Sequence, residues 1–363
     1  MRSLVVTRCR PFLDLGGMEK YSFHLCVGLS LSGAVVLVCG EGIYLFKNKR
    51  MKNIIKFNQD GRGSSLVQII LANWLSLKIL MRWRILNIYA FGHSAMLTLL
   101  LCKFRFFNVD NTFFLGLGYE AFLVWPNAKL KLRVKNLVHR SLARISMFAS
   151  KVVLVIEESQ RSLFPVLDRR GKIKVLENFV DLDTYYDVKP SSQGKPIKIL
   201  SLGRNCQSKN RHKILSDWLS IVESHEALNQ RFALVIVSSG LPPDMVDQIK
   251  KTKSVDVLEN VSDDVFIELR ELADAEFSYS TQGIPVLTAL EGMAFGNVPI
   301  VDNSHGGFFD QSNSLSLSEF IQDIVFHDCE KTNEVKRRNL RIVSSRSLVN
   351  FYANVNLLQR SKP

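Results

Sequence analysis

The chain has 363 residues, 47% of them hydrophobic and 22% charged, a composition that excludes disorder and a length that exceeds one ordinary core, so two domains are expected. Its net charge of +13 is one-sided: residues 1–190 hold 28 Lys and Arg against 13 Asp and Glu, and residues 191–363 hold 19 against 21. The first half, at +15 against −2, is therefore the one suited to phosphate-rich partners such as an anionic membrane or nucleic acid.

In chain order, Leu4–Thr7 reads as a strand, followed by Gly16-Gly17 and a helical stretch Met18–Ser30. Ala34–Cys39 is a second strand. Ser64–Arg82 has helical length, with Leu, Ile, Trp and Lys at three- and four-residue spacing. Ile85–Phe91 and Val152–Ile156 are short, apolar strands. Lys189–Pro196 is polar with two prolines and a glycine, which marks a linker. The alternation then restarts: strand Ile197–Leu202, helix Ile214–His225, strand Phe232–Val237, helix Asp244–Lys251 and strand Val255–Leu258. Helix Asp264–Ala273, strand Ala275–Tyr279, helix Val286–Phe295 and strand Val298–Val301 complete it. Strands alternating with helices imply βαβ units and parallel sheets, so the expected class is α/β with two Rossmann-like domains in tandem.

Other families of function lack support. Cys9, Cys26, Cys39, Cys102, Cys206 and Cys329 form no CxxC pair and no metal-finger spacing, which fits reduced thiols in a cytoplasmic protein. The run Leu4–Val6 is shorter than a secretory hydrophobic region. Ile85–Cys102 is uncharged, but Asn87, Gly92, His93 and Ser94 interrupt it, so it reads as a strand and then a helix rather than a membrane span. The basic half lacks the basic–aromatic interleaving of RNA modules, and no nucleic-acid partner is expected.

Four segments carry chemistry. Gly16-Gly17-Met18-Glu19-Lys20 follows a strand and opens a helix, where glycines let backbone N–H groups approach an anion. Lys172–Asp183 runs KIKVLENFVDLD into the linker. Leu202-Gly203-Arg204-Asn205-Cys206-Gln207-Ser208-Lys209-Asn210 follows the first strand of the second half. Its Arg204 offers a planar fork and its Lys209 a point charge, both suited to phosphate. In Gln282–Gly296, Glu291 stands on a helix framed by Pro285 and Gly296, and a carboxylate can accept both hydroxyls of a vicinal diol.

Taken in order, these segments resemble the family-4 GT-B glycosyltransferases, with their GG(I/M)E(R/K) loop, KIxVIPNGVD stretch, GRxxxxKN loop and EGFGxxxLEAMAxG helix. The resemblance implies two Rossmann-like domains, 1–189 on the acceptor side and 197–343 for the nucleotide sugar, facing a cleft. It also implies a C-terminal helix, 344–363, crossing back to the first domain; Ser344–Leu358 carries that likeness. It implies retaining transfer without a bound metal or other cofactor, the nucleotide sugar being a co-substrate. Arg204 and Lys209 would hold the donor diphosphate, and Gly16 and Gly17 would contribute to the donor site. Glu291 would bind the ribose, and His93, after strand Ile85–Phe91, would serve the acceptor side. The expected partners are a nucleotide-sugar donor, a lipid-linked or glycan acceptor and the inner face of the cytoplasmic membrane, where the protein would be peripheral. The chain departs from the pattern at the first motif glutamate: eight residues before Glu291 stands Gly283, and Gln282 is one further back. Two rival readings remain, a catalytically degenerate relative that binds a glycan or a partner, and a nucleic-acid binder inferred from charge alone. Gly42–Leu80 and Phe308–Val343 carry no likeness.

Overall fold

The computed structural model describes residues 2–7, 17–39, 42–56, 65–116, 130–181, 196–202, 210–238, 241–259, 261–279, 287–302, 308–310 and 312–360. The contacts divide the chain into two compact units, one of residues 1–178 with 349–363, the other of residues 179–348. The linker expected at Lys189–Pro196 falls, apart from Pro196, outside the described residues.

In chain order the first unit holds β1 (Arg2–Val6), α1 (Gly17–Ser30), β2 (Ala34–Cys39), β3 (Gly42–Lys47), β4 (Arg50–Lys56), α2 (Ser65–Arg82) and β5 (Asn87–Phe91). It continues with α3 (Met96–Lys103), β6 (Asn111–Leu115), α4 (Leu130–Ala149), β7 (Val152–Val155), α5 (Pro165–Arg169) and β8 (Ile173–Val175). Among the described residues these strands form one sheet in the order β4-β3-β2-β1-β5-β6-β7-β8. Pairs from β2 through β8 are parallel, with Leu4 opposite Val36 on one side and Ile88 on the other. Such strands are covered on both faces, so they read as unbroken apolar runs: Leu4, Val5 and Val6 are all fully buried.

The hairpin β3–β4 is antiparallel and extends the sheet. Its turn places Asn48 and Lys49 at φ 50° and 64°, the left-handed pair that a two-residue hairpin requires. The right-handed rule for crossovers between parallel strands calls for α1 on one face and α3 and α4 on the other. The layer of α2, α3 and α4 packs on the sheet, Leu75 of α2 and Leu99 of α3 sharing a cluster with Val36 and Ile88.

The second unit contains β9 (Ile197–Leu202), α6 (Arg211–Trp218), α7 (Glu226–Arg231), β10 (Phe232–Val237), α8 (Pro243–Ile249), β11 (Val255–Leu258) and α9 (Asp263–Glu271). β12 (Ala275–Phe277), α10 (Leu287–Ala294), β13 (Val298–Ile300), α11 (Leu317–Phe326) and α12 (Glu330–Ser345) follow. Its sheet is parallel, in the order β11-β10-β9-β12-β13. Ile199, Leu234, Phe232, Met245, Val298 and Phe320 fill its core with the fully buried Trp218. The indole of Trp218 donates to Ser254 Oγ at 3.0 Å, and that hydroxyl donates to Glu223 Oε2 at 2.6 Å. Glu223 closes a π turn, Leu219–Glu223, which follows α6 where the sequence reads one continuous helix to His225.

The last helix, α13 (Leu348–Arg360), belongs with the first unit from Val349 onward. Phe351 packs edge-on against Tyr21 at 5.3 Å, Tyr352 Oη lies 2.8 Å from His24 Nδ1, and Gln359 bonds Ser32. A Cβ at Gly28 would lie 2.9 Å from the Tyr352 ring, so the close approach of α13 to α1 needs a glycine there. The expected crossover helix is thus present, shorter at its start than Ser344 because the chain turns at Arg346 and Ser347.

Candidate functional site

Open parallel sheets bind ligands beyond the carboxyl ends of their strands, where the strand order reverses. In the first unit that point lies between β1 and β5. From β1 the chain runs on to Gly16-Gly17, and from β5 to Gly92-His93. In the second unit it lies between β9 and β12. β9 ends at Leu202, two residues before Arg204, and β12 ends at Phe277, ahead of Gln282 and Gly283. Three of the four segments singled out in the sequence, and the turn that carries His93, therefore follow strands that flank a reversal; Lys172–Asp183 leaves the edge strand β8 instead. Gly16, Arg204, Lys209, Gln282 and Gly283 themselves lie outside the described residues. Gly17 opens α1, where unpaired backbone N–H groups gather at a helix start.

His93 lies in the turn between β5 and α3, behind Gly92 at φ 58°. It is only 7% exposed. Its Nε2 is 3.0 Å from Nδ1 of His139 on α4, and the rings are 4.7 Å apart. One nitrogen must donate and the other accept, so each ring restricts the tautomer of its partner. His139 was not anticipated, because nothing in the local pattern of α4 says which face meets the β5 turn. We expect His93→Ala and His139→Ala to be non-additive in stability, with a coupling of about 1 kcal/mol, the size of one buried hydrogen bond. A thermal double-mutant cycle measures it, and simple additivity would show that the contact carries no energy.

Glu291 stands on the second turn of α10 and is 6% exposed. Its Oε2 accepts from Arg270 Nη1 at 2.7 Å. Arg270, on α9, is itself buried; its Nη2 donates to the Thr288 carbonyl oxygen at 2.8 Å, and its Nε lies 3.4 Å from Glu276 Oε2 on β12. The guanidinium also covers the Phe266 ring at 4.7 Å. One buried cation thus stands between two buried carboxylates contributed by different elements. Sequence reading found Glu291 and missed Arg270 and Glu276, which belong to no motif.

A second polar group gathers just past β12 and β13. Tyr279 donates its hydroxyl to Asp217 Oδ2 at 2.8 Å, and Lys213 Nζ lies 3.2 Å from Asp217 Oδ1 and 3.7 Å from Asp302 Oδ2. Burial, and then the Asp217 contact, push the Tyr279 hydroxyl well above its ordinary pKa, so it remains a proton donor. At the end of β9, Ser201 Oγ accepts from the buried Arg211 at the start of α6. Charged and hydroxyl groups therefore line the carboxyl edge of β9, β12 and β13.

No family model matches the sequence, and no curated protein matches it. Solved structures do. A sucrose-phosphate synthase from Thermosynechococcus elongatus superimposes with a TM-score of 0.76 at 15% identity, covering 99% of this chain and 98% of that one. WaaG, a glycosyltransferase involved in lipopolysaccharide biosynthesis, gives 0.70 at 11% identity, over 99% and 100%. The catalytic domain of starch synthase IV from Arabidopsis thaliana, bound to ADP and acarbose, gives 0.64 at 11% identity, over 98% and 99%. The likeness spans nearly the whole chain, and the fold, two tandem α/β units with a returning C-terminal helix, is that of the GT-B glycosyltransferases.

Proposed function

We propose that the chain is a retaining, metal-independent glycosyltransferase that moves a sugar from a nucleotide-sugar donor to a lipid-linked or glycan acceptor. One observation carries the reading: the Arg204–Lys209 segment and the segment leading to Glu291 leave adjacent strands, β9 and β12, at the reversal of the second sheet. That edge is where a nucleotide is held in sheets of this kind. As the glycosidic bond breaks, the diphosphate gains negative charge. Cations at Arg204 and Lys209 stabilise that state more than the ground state, which is what accelerates a reaction. Glu291 accepts from the ribose hydroxyls, Gln282 keeps hydrogen bonding at the donor sugar without a charge, and His93 serves the acceptor side. WaaG is named for lipopolysaccharide biosynthesis, which supports a surface-glycan acceptor.

A panel of UDP-, GDP- and ADP-sugars tests the reading by thermal shift. A donor at a hundred times its dissociation constant adds about 2.7 kcal/mol, a rise of several degrees. No shift with any of them would overturn it. The alternative, a degenerate relative that binds a glycan or a partner, is favoured by Gln282, the nearest polar residue to the place of the first motif glutamate, which lacks its charge. It requires donor binding or glycan binding with neither hydrolysis nor transfer.

The acceptor side would work at an anionic membrane. No described helix is long and apolar enough to cross one. The layer of α2, α3 and α4, with the turn after α3, exposes Ile70, Trp74, Met81, Phe104, Phe106 and Phe148. Lys78 Nζ lies 3.5 Å from the Trp74 ring and Lys103 Nζ 3.9 Å from the Phe148 ring. Burial first, and then the neighbouring Lys103 and Arg170, lower the Lys172 pKa. Trp83, by contrast, packs on the core of the unit, and Arg2 covers it. Rings and cations of this kind suit a headgroup layer. We expect flotation with anionic vesicles but not neutral ones, fading as salt screens charge beyond about 8 Å. Charge reversal at Lys78, Arg82 and Arg84 should release the protein and leave donor binding intact. Equal binding to both vesicle types, or to neither, contradicts the assignment.

A further inference from the structure

Arg270 lies outside every motif discussed above, yet it holds the carboxylate assigned to the ribose. We propose that Arg270 is a positioning residue for nucleotide recognition, and that Gly292 and Glu276 complete the device. The proposal rests on the reading of Glu291 as the ribose ligand.

The geometry is specific. Arg270 grips α10 at two points one turn apart, the Thr288 carbonyl oxygen through Nη2 and Glu291 Oε2 through Nη1. A planar guanidinium that bonds one helix through two separate nitrogens fixes the rotamer of Glu291 against that helix, with a rigid spacing that the single nitrogen of a lysine lacks. A carboxylate that accepts from two adjacent hydroxyls has to be held in a set plane, and its supporting contacts decide how well. On its far side Arg270 meets Glu276. That approach depends on residue 292: a Cβ there would lie 2.5 Å from Glu276 Oε2 and 3.2 Å from its Cδ. Any side chain at 292 would push the Glu276 carboxylate off the guanidinium. Three elements, α9, β12 and α10, thus each contribute one part, and the glycine between Glu291 and Met293 is the part that leaves room for the others.

The probe is whichever of UDP, GDP and ADP raises the wild-type melting temperature most, together with its 2′,3′-dideoxy form, which lacks the diol. Calorimetry gives both dissociation constants. Wild type should prefer the diol form by about tenfold or more, the range of a hydrogen bond to a charged group. E291Q should lower that preference. R270K, which keeps the charge and loses the fork, and G292A should lower it similarly, while the dideoxy form binds all variants alike. R270K that loses thermal stability yet keeps the full diol preference would make Arg270 a structural cation only and overturn the proposal. Should R270K not fold, G292A carries the same test. An unchanged preference in E291Q would instead remove Glu291 from the ribose, and no binding of any diphosphate by wild type would remove the glycosyl-transfer reading; the proposal falls in both cases, but for reasons the data tell apart.

Discussion

Arg204→Ala and Lys209→Ala should each lower the turnover number of transfer by about two decades, the usual loss when one preorganised contact to a developing charge is removed. The fall should exceed any change in donor affinity, because the diphosphate carries more charge in the transition state than in the bound donor. Stability should hardly change, since both are charged side chains in a polar stretch of sequence that follows β9. Arg204→Lys should recover only part of the activity, because the ammonium lacks the bidentate fork. Steady-state kinetics with a fixed acceptor would decide it. Unchanged turnover in both alanine variants would remove this pair from the mechanism.

Arg270→Met should produce the largest loss of stability, about 3–5 kcal/mol, because it leaves Glu276 and Glu291 buried without their cation. The triad is almost wholly shielded, the side chains of Arg270, Glu276 and Glu291 being 2%, 6% and 8% exposed, so solvent cannot take over the role of the guanidinium. Replacing the carboxylates by amides in the same background should return part of the loss, since the methionine then faces neutral groups. Of the four tryptophans only Trp218 belongs to the second unit, so the fluorine resonance of a fluorotryptophan at 218 follows the unfolding of that unit alone. An Arg270→Met transition within 1 kcal/mol of wild type would mean that the triad adds nothing.

What the sequence disclosed followed from period and breakers. These strands of the parallel sheets are short, largely apolar runs flanked by glycine, proline or polar residues, so Ala34–Cys39, Ile197–Leu202, Phe232–Val237 and Val255–Leu258 could be read to the residue. The hairpin β3–β4 was not, because its turn uses Asn48-Lys49 instead of an Asn-Gly pair, and Met51, Ile54 and Ile55 remain exposed on β4, which blurs alternation. Helix α4 was equally obscure: it exposes Val134, Leu137 and Val138 while burying Ala143, Ser146 and Met147, so its apolar residues do not share one stripe. At the site, Glu291 was legible because a motif carries it. Its partners were not, since a contact between α9, β12 and α10 depends on tertiary packing that no local spacing encodes. His139 stayed hidden for the same reason.

The place of α13 has a consequence for how the protein is made. Residues 1–178 leave the ribosome first, yet Tyr21, His24, Ser32 and Ser3 find their partners on Phe351, Tyr352 and Gln359, at the far end of the chain. Residues 179–348 must be synthesised in between, which at 5–20 residues per second takes roughly 10–30 s. During that interval the α1 face of the nascent first unit, with the notch at Gly28, lacks its cover. Translation has to run through Phe351, Tyr352 and Gln359 before that face can close, so a ribosome that stalls just after residue 348, or a message cut short there, releases a chain whose second unit is whole and whose first is not.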